Sequence, residues 1–215
     1  MILYSIALSP FGARARLALR IKGVEHDMRP PPGGGPRSPD FLAINPVGKI
    51  PVLVTDDGLI IAESETIIDY LEDHYPTPSL LPRSDADRAR MRNIVRLTEL
   101  YATPALFRLF AQIAPDTRDI AIVTAEVERL CNGLALVDRF VSDAPFAVGD
   151  HVSKADCILL PTLLLIDVVA KLFALENPVD ALPALSGYRD KARQIPELGA
   201  IWTETDEALA AAAAA

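Results

Sequence analysis

The sequence predicts an α/β domain followed by an all-α domain, on three observations. Residues 1–75 alternate short apolar runs with helical patterns. A proline-rich stretch, Pro76-Thr77-Pro78-Ser79 through Pro82, then interrupts the chain. From Asp85 onward only long helical periodicities remain. The expected boundaries are an α/β domain over 1–77, a linker over 78–84 and an all-helical domain over 85–215.

Taken in order, Ile2–Ala7 reads as a strand. Pro10–Lys22 reads as a helix, because proline is favoured in a first helical turn and Gly23 stands where helices end left-handed. Val24–Arg29 is a second short strand. Pro30–Pro39 holds too many prolines and glycines for regular structure and is a loop. Phe41–Ile44 makes a helical turn. The apolar runs Val52–Val54 and Leu59–Ala62 are strands joined by Thr55-Asp56-Asp57-Gly58, a hairpin turn signal. A helix over Ser64–Tyr75 carries Ile67, Ile68 and Leu71 at helical spacing, with Ser64 as its cap. In the second domain helical patterns run through Ala86–Ala111, Thr117–Ser142, Ser153–Leu175 and Leu182–Ala192, and again from Pro196. Ser153 and Asp156 spell Ser-x-x-Asp, close to a capping box, and fix a helix start.

Composition narrows the function. The formal charge of -8 disfavours nucleic acid or an anionic membrane as the main partner. Residues 1–10 lack the basic start and long apolar core of a signal peptide, so a cytoplasmic protein is expected. Cys157–Leu175 is long and apolar, but Asp167 and Lys171 would be costly in a bilayer; four residues apart, they suit pairing on a buried helix. Cys131 and Cys157 read as reduced, small hydrophobes. Neither they nor His26, His74 and His151 show ligand spacing, so no metal is expected.

Two places carry chemistry. Pro51 cannot donate to a ladder, so Ile50-Pro51 belongs at the start of the Val52 strand or in a turn. A cis bond there would turn the N–H and C=O of Ile50 outward, where they can bind a peptide-like ligand as an added strand does. Downstream, a helix start at Ser64 suits a carboxylate and Glu63 suits an ammonium, together the head group of a free amino acid. Read alone, Ser64 is a cap and Glu63 a solvated charge. Ser9, ahead of Pro10, is likewise a common cap, yet a hydroxyl at a helix N-terminus also stabilises a thiolate. Lowering a bound thiol by about two pH units needs only about 2.7 kcal/mol.

These segments resemble one family. Gly48-Lys49-Ile50-Pro51-Val52-Leu53 followed by Glu63-Ser64 resembles the glutathione site of the cytosolic glutathione transferases. Ser9-Pro10-Phe11-Gly12-Ala13-Arg14-Ala15-Arg16-Leu17-Ala18-Leu19 is similar to the serine-type active-site segment of their tau, phi and zeta classes. Ser153-Lys154-Ala155-Asp156 resembles the capping box of their C-terminal domain. The resemblance spans the chain and implies a thioredoxin-like first domain and a homodimer.

It also implies roles for residues. Ser9 activates the thiol of glutathione, with Tyr4 as the alternative because some classes use an N-terminal tyrosine. Arg37 and Lys49 match basic positions near the glycine carboxylate; as plain sequence, both read equally as solvated charges. Ile50, Pro51, Glu63 and Ser64 complete the glutathione site. An acceptor pocket is expected around Phe11, Thr103, Phe107 and Phe110, although a stripe at that spacing also describes core. Arg14 and Arg16 read as structural or as subunit contacts. Arg88, Arg90, Arg92 and Arg96 form a basic stripe that, in a dimer, suits Glu63, Glu65 and Asp69 of a partner.

The function implied is transfer of the glutathione thiolate to small hydrophobic electrophiles, a detoxifying reaction with glutathione as co-substrate. Glutathione-dependent cleavage or isomerisation would use the same Ser9. Omega and beta relatives place a cysteine in the first loop, and this chain has none there. The zeta class, which isomerises maleylacetoacetate, carries Ser-Ser-Cys where Ser9-Pro10-Phe11 stands. A different class of answer is a non-catalytic binding or regulatory protein that kept the fold.

Overall fold

The computed structural model describes residues 1–214. The first compact unit spans residues 1–79 and is completed by the final helix; the second spans Leu80–Ile195.

In the first unit four short strands form one sheet in the order β2-β1-β3-β4. They are β1 (Ile2–Tyr4), β2 (Asp27–Arg29), β3 (Val52–Val54) and β4 (Ile60–Ala62). β1 runs parallel to β2 and antiparallel to β3, and β4 returns antiparallel to β3. One row across the sheet, Leu3–Leu53–Ile61, is buried and anchors the core. Helices α1 (Pro10–Lys22), α2 (Pro39–Ile44) and α3 (Ser64–His74) complete the α/β part, and α9 (Pro196–Ala214) joins it.

β1 is shorter than the expected Ile2–Ala7 because the carbonyls of Ile6 and Ala7 accept from the Arg16 guanidinium instead of a ladder. β2 is shorter than Val24–Arg29 because Val24 closes the preceding helix. The N–H groups of Gly23 and Val24 donate to Arg20 and Leu19, with Gly23 at φ 63. α2 starts earlier than Phe41, since Ser38 Oγ accepts from the Phe41 N–H. Within the expected Pro30–Pro39 loop lies a single 3-10 turn, Pro32–Gly34. Lys22 ties the end of α1 to the chain after α3. Its buried ammonium donates to Glu72, at 2.5 Å, and to the carbonyls of Tyr75 and Pro78, at 2.7 Å each.

The second unit holds α4 (Asp85–Leu97), α5 (Thr103–Phe110), α6 (Ile120–Asp138), α7 (Lys154–Phe173) and α8 (Pro183–Ala192). The expected single helix over Ala86–Ala111 is two helices joined by a π turn, Thr98–Ala102. Pro104 has no N–H, so the α ladder cannot pass through it, and the Thr103 N–H bonds to Thr98 instead. α6 packs tightly here: a Cβ on Gly133 would lie 2.5 Å from the Tyr101 carbonyl. α7 opens on the expected capping box. The N–H and hydroxyl of Ser153 donate to Asp156 Oδ2 at 2.7 and 2.9 Å, and Oδ1 accepts from the Ala147 N–H at 2.9 Å.

Two expectations are corrected. The final helix packs against α1 in the first unit rather than belonging with residues 85–195, because Glu204 pairs with Arg16 and Arg20. Asp167 pairs with Arg193 and Asn177, both at 2.6 Å, and not with Lys171, which is exposed. Among the described residues, no helix is long and apolar enough to cross a membrane.

Candidate active site

Sheet register assembles the site from distant segments. Tyr4 pairs with Val52, and Val52 with Ala62. The end of β1, the start of β3 and the end of β4 therefore lie side by side. Beyond that edge run the Ile6–Ala7 loop leading to Ser9, and the segments Lys49-Ile50-Pro51 and Glu63-Ser64 singled out in the sequence.

Ser9 caps α1 from an extended conformation, and its Oγ accepts from the Gly12 N–H at 3.0 Å. A hydroxyl has one hydrogen to give and two lone pairs. With a lone pair spent on Gly12, its hydrogen is available to a thiolate at the positive end of the helix dipole. Gly12 is required for this geometry: a Cβ there would fall 2.0 Å from Ser5 Oγ. Ser9 itself is buried, at 8% exposed. Tyr4 is engaged elsewhere, its ring edge-on to Phe41 with centroids 5.8 Å apart. Phe11 is half-buried, with the Arg14 guanidinium 4.4 Å above its ring. Arg14 and Arg16 are both buried, at 3% and 6% exposed.

The Ile50-Pro51 bond is cis, with Pro51 buried and Ile50 half-buried. The loop before it hangs on Asn45, whose role sequence reading missed. Asn45 Nδ2 donates to the Lys49 carbonyl at 2.9 Å, its Oδ1 accepts from the Val47 N–H, and its carbonyl accepts from the Gly48 N–H. The signal was present in Asn45-Pro46-Val47-Gly48, a turn-forming string. Gly48 stands at φ 63, and a Cβ on it would meet Leu42 at 2.9 Å and Arg37 Nη1 at 3.2 Å. Arg37 therefore reaches the same loop as Lys49, and both side chains are exposed.

At α3 the expected cap is corrected. Ser64 is the first helical residue, and Glu63 occupies the cap position without a side-chain bond to the helix. Glu63 stands at φ 68, ψ 126, a conformation that costs a side-chain-bearing residue about 1–3 kcal/mol. Its carboxylate is exposed, while Ser64 is 5% exposed. First-turn N–H groups have no intrahelical partners, and a strained residue turned out to solvent leaves them facing an incoming anion.

In the helical unit Thr103 is buried, Phe107 is exposed and Phe110 half-buried; the core face of α5 is Ala105, Leu106 and Leu109. Of the expected basic stripe, Arg88 is occupied, its Nε donating to the Pro82 carbonyl at 2.7 Å. Among the described residues, no group of three or more His, Cys, Asp or Glu side chains could hold a metal.

Residues 3–79 match the family described as glutathione S-transferase, N-terminal domain. The chain is 31% identical to a maleylacetoacetate isomerase of Pseudomonas aeruginosa, over 91% of this chain and 92% of that protein. It is 31% identical to glutathione S-transferase 1 of Dianthus caryophyllus, over 76% of each. The crystallographic structure of a tau-class glutathione S-transferase from mango, Mangifera indica, superposes with a TM-score of 0.80 at 26% identity, covering 96% of this chain and 94% of that one. With a serine capping α1, a cis proline opening β3 and an uncapped α3 at one edge of the sheet, the chain belongs to the cytosolic glutathione transferase superfamily.

Proposed function

We propose that this protein is a glutathione-dependent enzyme that transfers the thiolate of glutathione to small hydrophobic electrophiles, with Ser9 as the catalytic residue. The observation that supports the reading most is the sheet register: it lays the ends of β1, β3 and β4 side by side, and these strand ends lead to Ser9, Ile50-Pro51 and Glu63-Ser64. In this reading, the γ-glutamyl head group sits at the start of α3, its carboxylate on Ser64 and the first-turn N–H groups and its ammonium on Glu63. The main chain of Ile50 aligns the cysteinyl residue, and Lys49 and Arg37 face the glycine carboxylate. The Ser9 hydroxyl donates to the sulfur, so the thiol loses its proton to solvent near neutral pH. The thiolate then attacks an electrophilic carbon held by apolar contact with Phe11, and either a leaving group departs or the adduct takes a proton from solvent.

A second reading, isomerisation, draws on the relative from Pseudomonas aeruginosa, whose name is maleylacetoacetate isomerase. There the same thiolate adds to a cis double bond and leaves after rotation. Against it stands Ser9-Pro10-Phe11 in place of Ser-Ser-Cys. The test is retention on immobilised glutathione followed by two assays, one with chlorodinitrobenzene and one with maleylacetoacetate. Turnover of the first supports transfer, and turnover of the second alone supports isomerisation. Retention with turnover of neither, across a panel of electrophiles, would make the protein a binding module. We further assign it a cytoplasmic location and a homodimer, and light scattering checks the latter: a mass near 23.3 kDa refutes the dimer.

A further inference from the structure

Arg16 lies well inside α1, yet its side chain turns back to the segment in front of Ser9. Nη1 donates to the Ile6 carbonyl at 3.3 Å and Nη2 to the Ala7 carbonyl at 3.1 Å. The Ile6 carbonyl also accepts the Ser9 N–H, at 3.1 Å. One oxygen is thus shared between the guanidinium and the backbone of the proposed catalytic residue.

Elsewhere the loop is held by Ser5, whose Oγ donates to the same Ile6 carbonyl at 3.4 Å and whose N–H donates to the Arg29 carbonyl at 2.9 Å. Ile6 and Leu8 are exposed, so no apolar side chain there anchors the turn in the core. Arg16, in contrast, is 6% exposed. A buried cation needs a counter-charge, and Glu204 on α9 supplies it, with Oε2 3.3 Å from Arg16 Nε. Its other oxygen pairs with Arg20. Burial pulls the Arg16 pKa down and Glu204 opposes that pull. A planar fork suits this place, since two of its nitrogens serve adjacent carbonyls and the third faces the carboxylate.

We propose that Glu204 and Arg16 are positioning residues for Ser9: the final helix, through one ion pair, fixes the turn that aims the Ser9 hydroxyl. The proposal rests on the catalytic reading of Ser9. It makes the last helix, far away in sequence, part of what sets thiol activation.

The variants are Glu204→Gln and Arg16→Lys, with Arg20→Gln as control, because Arg20 shares the carboxylate but not the loop. Three quantities are read on the full chain: exchange of the Ser9 amide without ligand, the pKa of bound glutathione thiol, and kcat against KM. Glu204→Gln and Arg16→Lys are expected to speed Ser9 exchange about tenfold and lower kcat about tenfold, inside the ~100-fold that a 1 Å misplacement costs. They should raise the bound thiol pKa, with little change in the KM for glutathione. Arg20→Gln should change none of these. Equal losses in Arg20→Gln would overturn the proposal, as would a lower Tm with Ser9 exchange, thiol pKa and kcat as in the wild type. If Glu204→Gln does not fold, Arg16→Lys and Glu204→Asp carry the same measurements. If the wild type does not bind glutathione, the catalytic reading fails, and the exchange arm still decides whether the pair holds the loop.

Discussion

The starts of α3 and α7 are each marked by a serine and an acid, and the chain treats them in opposite ways. At α7 the two side chains turn inward. Ser153 gives both its N–H and its hydroxyl to Asp156, and Asp156 is 0% exposed. Burial pushes the Asp156 carboxyl above its usual range, while the N–H groups of Ala147 and Ser153 and the hydroxyl of Ser153 pull it back. At α3 the serine is buried but the acid is not. Glu63 faces solvent in a strained backbone conformation and makes no side-chain cap. A helix start closed by its own side chains contributes stability. One left open gives up stability and keeps its N–H groups for a ligand.

The largest expected effect is at the closed start. Asp156→Ala leaves the Ala147 and Ser153 donors without their buried acceptor, which typically costs about 3 kcal/mol. For a chain of this size that is a fall in Tm of about 6–12 °C. Calorimetric melting checks it, and an unchanged Tm would mean the box is ornamental. Next is Ser9→Ala, which in the proposed mechanism removes a donor to the developing thiolate. Turnover should drop about 100-fold with glutathione affinity nearly kept, while loss of the α1 cap lowers stability by about 1 kcal/mol. If the rate survives, Tyr4 or a backbone N–H is the activating group.

The open start should respond in the reverse sense. In the proposed mechanism Glu63→Gln removes one charge-assisted bond to the ligand ammonium and should weaken glutathione binding about tenfold to a hundredfold, with Tm unchanged. Titration calorimetry reads this, and equal affinity would sink the head-group assignment. The smallest effect is the sharpest for the comparison. Glu63→Gly relieves the positive φ and should stabilise the fold by about 1 kcal/mol even as glutathione binding weakens. A destabilised Glu63→Gly would show that the residue is not strained for the ligand's sake.

Much of this arrangement was legible in the chain. Pro10 and Gly23 bracket α1 as read, because first-turn proline and left-handed glycine act locally. Ser153 and Asp156 were legible for the same reason. What escaped reading depends on partners far away. Ile6 and Ala7 look like strand until a guanidinium claims their carbonyls. The last helix looks like one more member of a bundle until Glu204 meets Arg16. The π turn needs both Pro104 and the close approach of Gly133, which no local pattern states. Glu63 was chosen for its charge, but its left-handed backbone was not legible, since glutamate has no preference for it. The proposed site residues rest on motifs, and what brings the strands beside those motifs together is the pairing of Tyr4 with Val52 and of Val52 with Ala62.

The most direct test is the ionisation of glutathione bound to the wild type and to Ser9→Ala, followed by the ultraviolet absorbance of the thiolate as pH is varied. A serine at the N-terminus of α1 that donates to sulfur predicts a bound thiol titrating about two pH units below free glutathione, with Ser9→Ala returning most of that difference. A bound thiol that titrates like the free one, or a depressed pKa indifferent to Ser9→Ala, would contradict the account.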